Sequence, residues 1–219
     1  NFQKTSTHVM ILMVAQNPST TETKQQEKLA DLAAQQTVGV HGKVSAAQIR
    51  LQKDITELEL PRLISIHMPN PQDLFHFEIE ICPVEGHYQG GRFHFKVDIS
   101  DNYPIDPPRI KCLQKIYHPN IDLDGNVCLN ILREDWSPVL SLNAVLLGLN
   151  FLFLELNPND PLNKDAANTL VKSPNVFARN VKLAMRGLII DRENTIESFD
   201  KGALEFLEGV ISTDRDSMP

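Results

Sequence analysis

The sequence predicts an α+β domain of about 145 residues between two extensions. Three observations carry that expectation. A helical apolar period opens the domain and gives way to a period of two. Roughly fifty residues of alternation then contain no helical segment, so their strands pair as an antiparallel meander. Helical periods return only afterwards, which segregates helices from sheet. The boundaries fall at residues 1–43 for an N-terminal extension, 44–187 for the domain and 188–219 for an acidic tail.

The first helix begins at Ser45. Ser45-Ala46-Ala47-Gln48 has the capping-box pattern, and Ala47, Leu51, Ile55 and Leu58 follow at helical spacing. Pro61 requires the helix to stop before it. Ile64 and Ile66 then alternate with Ser65 and His67. Phe75, Phe77, Ile79 and Ile81 alternate with His76, Glu78 and Glu80. Phe93, Phe95, Val97 and Ile99 alternate with His94, Lys96 and Asp98, and Arg109–Leu113 completes the set. Pro69-Asn70-Pro71, Gly86, Gly90-Gly91 and Tyr103-Pro104 supply the turns. One sheet face is apolar and needs a cover. Leu142, Val145, Leu146, Leu149 and Phe153 provide such a stripe. Asn163 is placed to cap a short helix through Leu170. Ser173-Pro174 reads as a helix start, with Phe177, Val181, Ala184 and Met185 on its inner face.

Composition limits the function classes. Of 219 residues, 42% are hydrophobic, enough for a packed core. The 28 acidic against 21 basic residues, net −7, argue against nucleic-acid binding. Three cysteines cannot close a disulfide framework and fit free thiols in a reducing compartment. The apolar stretches Val9–Ala15 and Phe151–Leu154 fall well short of the roughly 20 residues a membrane span needs. Gln16-Asn17-Pro18 makes a poor signal-cleavage site. The chain opens on Asn1, so either it is trimmed or Met10 is the start and residues 1–9 come from elsewhere. Thr20–Gln36 is too polar to bury a core, and Gly39-Val40-His41-Gly42 reads as a linker.

Chemistry should sit in the roughly 27 aperiodic residues Gln114–Leu140, because a long structureless connection in a compact domain is usually functional. Cys128 is either a nucleophile or a small buried apolar group. Cys112 and Cys82 read as packing residues at strand positions. His118, ten residues before Cys128, is a base in a Cys/His hydrolase, a zinc ligand with Cys112 and Cys128, or a packed turn residue; zinc lacks a fourth ligand. Asn120 offers an amide to an oxyanion or to a turn. Asp160, in Asn157-Pro158-Asn159-Asp160-Pro161-Leu162, is a turn carboxylate or one that orients an amine.

Taken jointly, Tyr103-Pro104-Ile105-Asp106-Pro107-Pro108, His118-Pro119-Asn120, Cys128, Trp136-Ser137-Pro138 and Asp160-Pro161-Leu162 resemble the ubiquitin-conjugating enzymes, in register from Ser45 to Gly187. The stretches Ser45–Ile55, Asn126–Trp136 and Asn157–Lys164 look most like the neddylation-type branch. Ubiquitin-dedicated relatives usually carry Asp at the position of Asn130 and another triplet at Arg133-Glu134-Asp135.

The resemblance implies that Cys128 accepts a ubiquitin-like modifier as a thioester from a heterodimeric activating enzyme and passes it to a target lysine. It implies Asn120 as oxyanion donor or loop support, Asp160 as lysine-orienting carboxylate, and Tyr117 and Leu129 as groove walls. His118 and Pro119 become structural. Ile105, Pro138 and Val139 fall on loops that meet RING-type ligases, with Arg50 and Lys53 bordering that surface. Met10, Ile11 and Leu12 would dock into the activating enzyme, although the basic, Phe-containing tail of the branch is not matched. With Met10 as the first residue, an acetylated terminus would also engage a co-ligase; with residues 1–9 attached it would not. The resemblance further implies cullin-type substrates, a monomer in cytoplasm and nucleus, and no cofactor, ATP being consumed by the activating enzyme. The alternatives are a conjugating enzyme for ubiquitin itself, a non-catalytic modifier-binding module, and the hydrolase. Past Gly187 the resemblance ends; Ile196, Phe199, Ala203, Phe206, Leu207 and Val210 there would fit an amphipathic helix.

Overall fold

The computed structural model describes residues 44–190 and 196–198, together with residues 27, 28 and 31. Met10, Ile11, Leu12 and most of both extensions lie outside the described residues.

Helix α1 (Ala46–Thr56) starts where the capping signal places it, with the Gln48 N–H donating to Ser45 Oγ at 3.1 Å. It buries Ala47, Leu51 and Ile55. Leu58 is also buried, but beyond the helix end. Strands β1 (Ile64–His67), β2 (His76–Ile81), β3 (Phe93–Asp98) and β4 (Arg109–Cys112) form one sheet in chain order, every pair antiparallel. The register puts Phe77 opposite Val97, Ile79 opposite Phe95, and Ile81 opposite both Ile64 and Phe93. These side chains share one buried face, as period-two alternation requires.

Helix α2 (Leu142–Leu154) covers that face. Its Ser141 cap accepts from Ala144 N–H at 3.3 Å. Phe153 stacks on Phe93 at 4.6 Å between ring centroids and meets Phe95 edge-on at 6.0 Å. Burying an aromatic ring of this kind contributes about 1.5–3 kcal/mol, so α2 is fastened chiefly by its apolar stripe. Helix α3 (Lys164–Lys172) is capped by Asn163, whose Oδ1 accepts from Ala166 N–H at 3.0 Å. Helix α4 (Pro174–Met185) begins with proline as expected, but the Ser173 side chain makes no capping bond. Ser173 is simultaneously the C-terminal cap of α3, with its N–H bonded to Thr169 O, and its φ of −150° and ψ of 72° serve both helices.

The tail departs from the helical expectation where it is described. Strand β5 (Leu188–Ile190) pairs antiparallel with β6 (Ile196–Ser198), so Ile196 opens a strand of a hairpin. Among the described residues no helix is long and apolar enough to cross a membrane.

Candidate active site

The aperiodic segment folds back on itself. Asp122 Oδ1 accepts from Asp124 N–H and Asn126 N–H, and Oδ2 accepts from Asn126 Nδ2. This carboxylate-templated turn ends at Gly125, whose φ is +83°. A Cβ there would sit 2.1 Å from Cys112 O, so only glycine fits. Cys112 N–H donates to Gly125 O at 2.8 Å, pinning the turn to β4. Beyond it, Ile121 bridges Val127 and Cys128 N–H donates to Asn120 O at 2.8 Å. The eight-residue separation of Asn120 and Cys128 is thus a chain reversal that sets them side by side.

His118, Pro119 and Asn120 each fasten a different neighbour. His118 Nε2 bonds Leu152 O of α2 at 3.0 Å, and its Nδ1 accepts from Asn120 N–H at 2.9 Å. That pattern fixes the neutral tautomer protonated on Nε2. Complete burial pushes the imidazole down to about 3, which keeps it uncharged. Tyr88 stacks on the ring at 5.1 Å and donates its hydroxyl to Tyr117 O at 2.7 Å. Both nitrogens of His118 are therefore occupied, which leaves none to deprotonate Cys128 or bind zinc. Pro119 O accepts from Asn163 N–H at 2.9 Å, locking the segment to the start of α3. Asn120 is 1% exposed. Its Nδ2 donates to Asn157 O at 2.8 Å and Asp160 O at 3.3 Å, while Oδ1 accepts from Asn157 N–H at 3.0 Å. Of the two roles offered for Asn120, its bonds here are those of loop support.

Asp160 is delivered to the cysteine by this clamp. The Cys128 thiol donates to Asp160 Oδ2 at 3.3 Å. Arg133 Nη1 donates to the same sulfur at 2.9 Å and lies 3.5 Å from Asp160 Oδ2. The local turn explains Arg133: Asn130–Leu132 is a short 3₁₀ helix, and Arg133 N–H closes it on Asn130 O at 2.9 Å. Partial burial pushes the Cys128 thiol up, hydrogen bonding to the carboxylate of Asp160 adds to that, and the guanidinium opposes it. Sequence reasoning missed Arg133. Its only signal was a cation five residues after a candidate nucleophile. Among the described residues no cluster of three or more His, Cys, Asp or Glu is placed to hold a metal ion.

The remaining candidates occupy distinct places. Tyr117 is 8% exposed and donates its hydroxyl to Thr169 Oγ1 of α3 at 3.0 Å. Leu129 packs over Gly148 of α2. Ile105 and Val139 are 63% and 85% exposed. Trp136 Nε1 donates to both Pro104 O and Ile105 O at 3.1 Å, tying their two loops together. Lys53 points to solvent, 3.9 Å from Glu57. Arg50 instead turns inward: it donates to Asp54 at 3.0 Å and to Pro138 O and Leu140 O at 2.6 Å each. Its guanidinium thus organises the loop bearing Pro138 and Val139.

Known proteins carry this chain's pattern. The ubiquitin-conjugating enzyme family matches residues 50–185. A Yarrowia lipolytica protein named NEDD8-conjugating enzyme UBC12 is 59% identical over 145 residues, 66% of this chain and 81% of the relative. A Schizosaccharomyces pombe protein named NEDD8-conjugating enzyme ubc12 is 57% identical over 148 residues, 68% of this chain and 84% of the relative. The solved structure of Saccharomyces cerevisiae Ubc12 superposes with a TM-score of 0.68 at 42% identity, covering 85% of this chain and 99% of that one. With the helix, the meander and the Cys128 loop in the same order, this chain belongs to the ubiquitin-conjugating enzyme family.

Proposed function

We propose that this chain carries NEDD8 as a thioester on Cys128 and transfers it to a lysine of a cullin-type substrate. A heterodimeric activating enzyme supplies the modifier and consumes the ATP, and a RING-type ligase presents the substrate. The observation that carries this reading is the pairing of the Cys128 thiol with a carboxylate and a guanidinium, while the imidazole of His118 is bonded away from the sulfur through both its nitrogens.

That arrangement suits acyl relay. In loading, the Cys128 thiolate attacks the carbonyl carbon of the incoming thioester. A new S–C bond forms, the old S–C bond breaks, and the electron pair leaves on the activating enzyme's sulfur. Reactant and product are both thioesters, so the exchange is near balance and asks only for a reachable thiolate. In discharge a neutral lysine amine attacks the same carbon, its proton leaves, and Cys128 departs as thiolate. Asp160, 62% exposed, is placed to orient that amine once acylation removes the thiol proton it holds. Asn120 keeps Asp160 in place through the 157–160 backbone. Tyr117 and Leu129 brace the floor beneath. Because His118 is turned away and uncharged, water near the thioester meets no imidazole base, which favours aminolysis over hydrolysis.

Exposed Ile105 and Val139, beside Pro138, supply the apolar contact for the ligase, with Lys53 at its border and Arg50 as its internal brace. We assign docking on the activating enzyme to Met10, Ile11 and Leu12, and a monomer in cytoplasm and nucleus to the free chain.

Single-turnover charging tests the reading. Purified protein, ATP and either the NEDD8 pair or the ubiquitin pair of modifier and activating enzyme are resolved on a non-reducing gel. A reductant-sensitive band with the NEDD8 pair, lost in Cys128→Ala, is expected. A band with ubiquitin alone would replace the modifier, and no band with either would overturn the catalytic reading.

A further inference from the structure

We propose that Arg133 is a charge-gated latch on the nucleophile, gripping the Cys128 sulfur while it is a thiolate and releasing it once the thioester has formed. The inference rests on Cys128 being the loaded residue. Three observations lead to it. Arg133 Nη1 is 2.9 Å from Sγ, the short end of N–H to sulfur contacts. The backbone of Arg133 is held by the 3₁₀ turn through its N–H to Asn130 O. Its side chain is 46% exposed, so the head can leave the sulfur without disturbing the core.

The acceptor strength of the sulfur changes through the cycle. A thiolate is a strong acceptor for a guanidinium N–H, a thiol a weak one, and a thioester sulfur carries no charge to hold it. Deprotonation sends the thiol proton to solvent and strengthens the Arg133 contact. Attack on the incoming thioester then places the sulfur pair in the new S–C bond, and the departing sulfur takes a proton from solvent. The guanidinium keeps two anionic partners, Glu134 at 3.2 Å and Asp160 at 3.5 Å. The charged groups facing the sulfur are thus Arg133 and Asp160, with Glu134 behind the guanidinium; His118 lies beneath, neutral. Asp160 opposes ionisation of the thiol, and Arg133 is its counterweight. The latch therefore acts in loading and not in discharge, an asymmetry that a merely structural arginine would not produce.

The test uses iodoacetamide alkylation of the full chain against pH, read by mass spectrometry on the Cys128 peptide. It needs neither modifier nor activating enzyme, so its result stands apart from the charging experiment. Arg133→Gln is expected to move the alkylation midpoint upward and to slow the reaction at pH 7 about three- to tenfold, a range set by the exposure of the pair. Arg133→Lys, which keeps the charge, is expected to fall between. Single-turnover loading should slow by the same factor and converge with the parent at high pH. Discharge of pre-formed thioester to free lysine should change by less than about twofold, since the guanidinium no longer holds the sulfur. An Arg133→Gln profile that superimposes on the parent would overturn the proposal. So would loading and discharge falling in parallel at every pH.

Discussion

Replacing Asp54 by alanine should weaken the domain and uncouple both exposed loops at once. Asp54 is 4% exposed on α1 and is the acceptor for three donors from separate segments. Arg50 Nε reaches it at 3.0 Å, Leu142 N–H at 3.4 Å, and the Tyr103 hydroxyl bonds Oδ2. Burial, and then the carboxylate itself, push the Tyr103 phenol far up, so it stays protonated and donates. In Asp54→Ala that buried hydroxyl is orphaned, at a cost of about 1–3 kcal/mol. Arg50 loses its carboxylate but keeps Pro138 O and Leu140 O and part of its hydration, adding about 1 kcal/mol. The long Leu142 contact adds little. The sum, about 2–4 kcal/mol, corresponds to a fall in Tm of roughly 6–12 °C for a domain this size. A double-mutant cycle with Arg50→Ala should show coupling of about 1 kcal/mol, because the two residues share one network. Ligase-stimulated discharge should fall more than unstimulated discharge, since the loops carrying Ile105 and Val139 both hang on Asp54. A variant that melts within about 2 °C of the parent would refute the assignment of these bonds as a joint brace.

Three further outcomes follow from the site. His118 is held near 3 when folded, below its ordinary value, so the unfolded chain binds the proton first and stability is lost as pH falls from about 6.5 towards 3. Urea titrations should lose about 2 kcal/mol between pH 7 and pH 5 from this group, a loss absent in a folded His118→Asn. Gly125→Ala should cost at least about 2 kcal/mol by urea unfolding, and Gly125→Asn, though tolerant of positive φ, should not rescue it, because the Cβ still strikes Cys112 O. Asn120→Ala should slow lysine discharge without slowing Cys128 alkylation, since it frees the 157–160 loop and with it the Asp160 carboxylate that holds the thiol proton.

The periodic parts of this fold were legible because burial enforces them. Phe77, Phe95 and Val97 alternate only because one sheet face is dry, and the Ser45 and Asn163 caps answer local amides. Ser173-Pro174 marks the helix start correctly, but one residue joins two helices, its N–H closing the first and its carbonyl opening the second, and its side chain makes no capping bond. The site was legible as residues but not as bonds. Arg50 reads as a solvated helix cation until the chain returns 88 residues later with Pro138. Arg133 reads as part of a charged turn until the 3₁₀ helix swings it back over Cys128. Strands β5 and β6 carry no alternation long enough to distinguish three residues of strand from the start of a helix.

The chemistry asks for a thiol that is available without being aggressive, and the fold supplies that by opposition. Burial and Asp160 hold the proton on Cys128, while Arg133 draws it off. A His base at this distance would make a more reactive sulfur, but it would also activate water against the thioester the sulfur has just gained. The fold instead spends its only nearby imidazole inside the core, between Leu152 O and Asn120 N–H, where it fixes geometry and moves no proton. Reactivity is then set by two exposed side chains whose contacts to the sulfur last only while it is uncharged with modifier. In the proposed latch, loss of the thiol proton frees Asp160 and tightens Arg133 on the thiolate, and formation of the thioester then releases Arg133. On that proposal the order of events follows the changing charge of one sulfur atom, from thiol to thiolate to thioester.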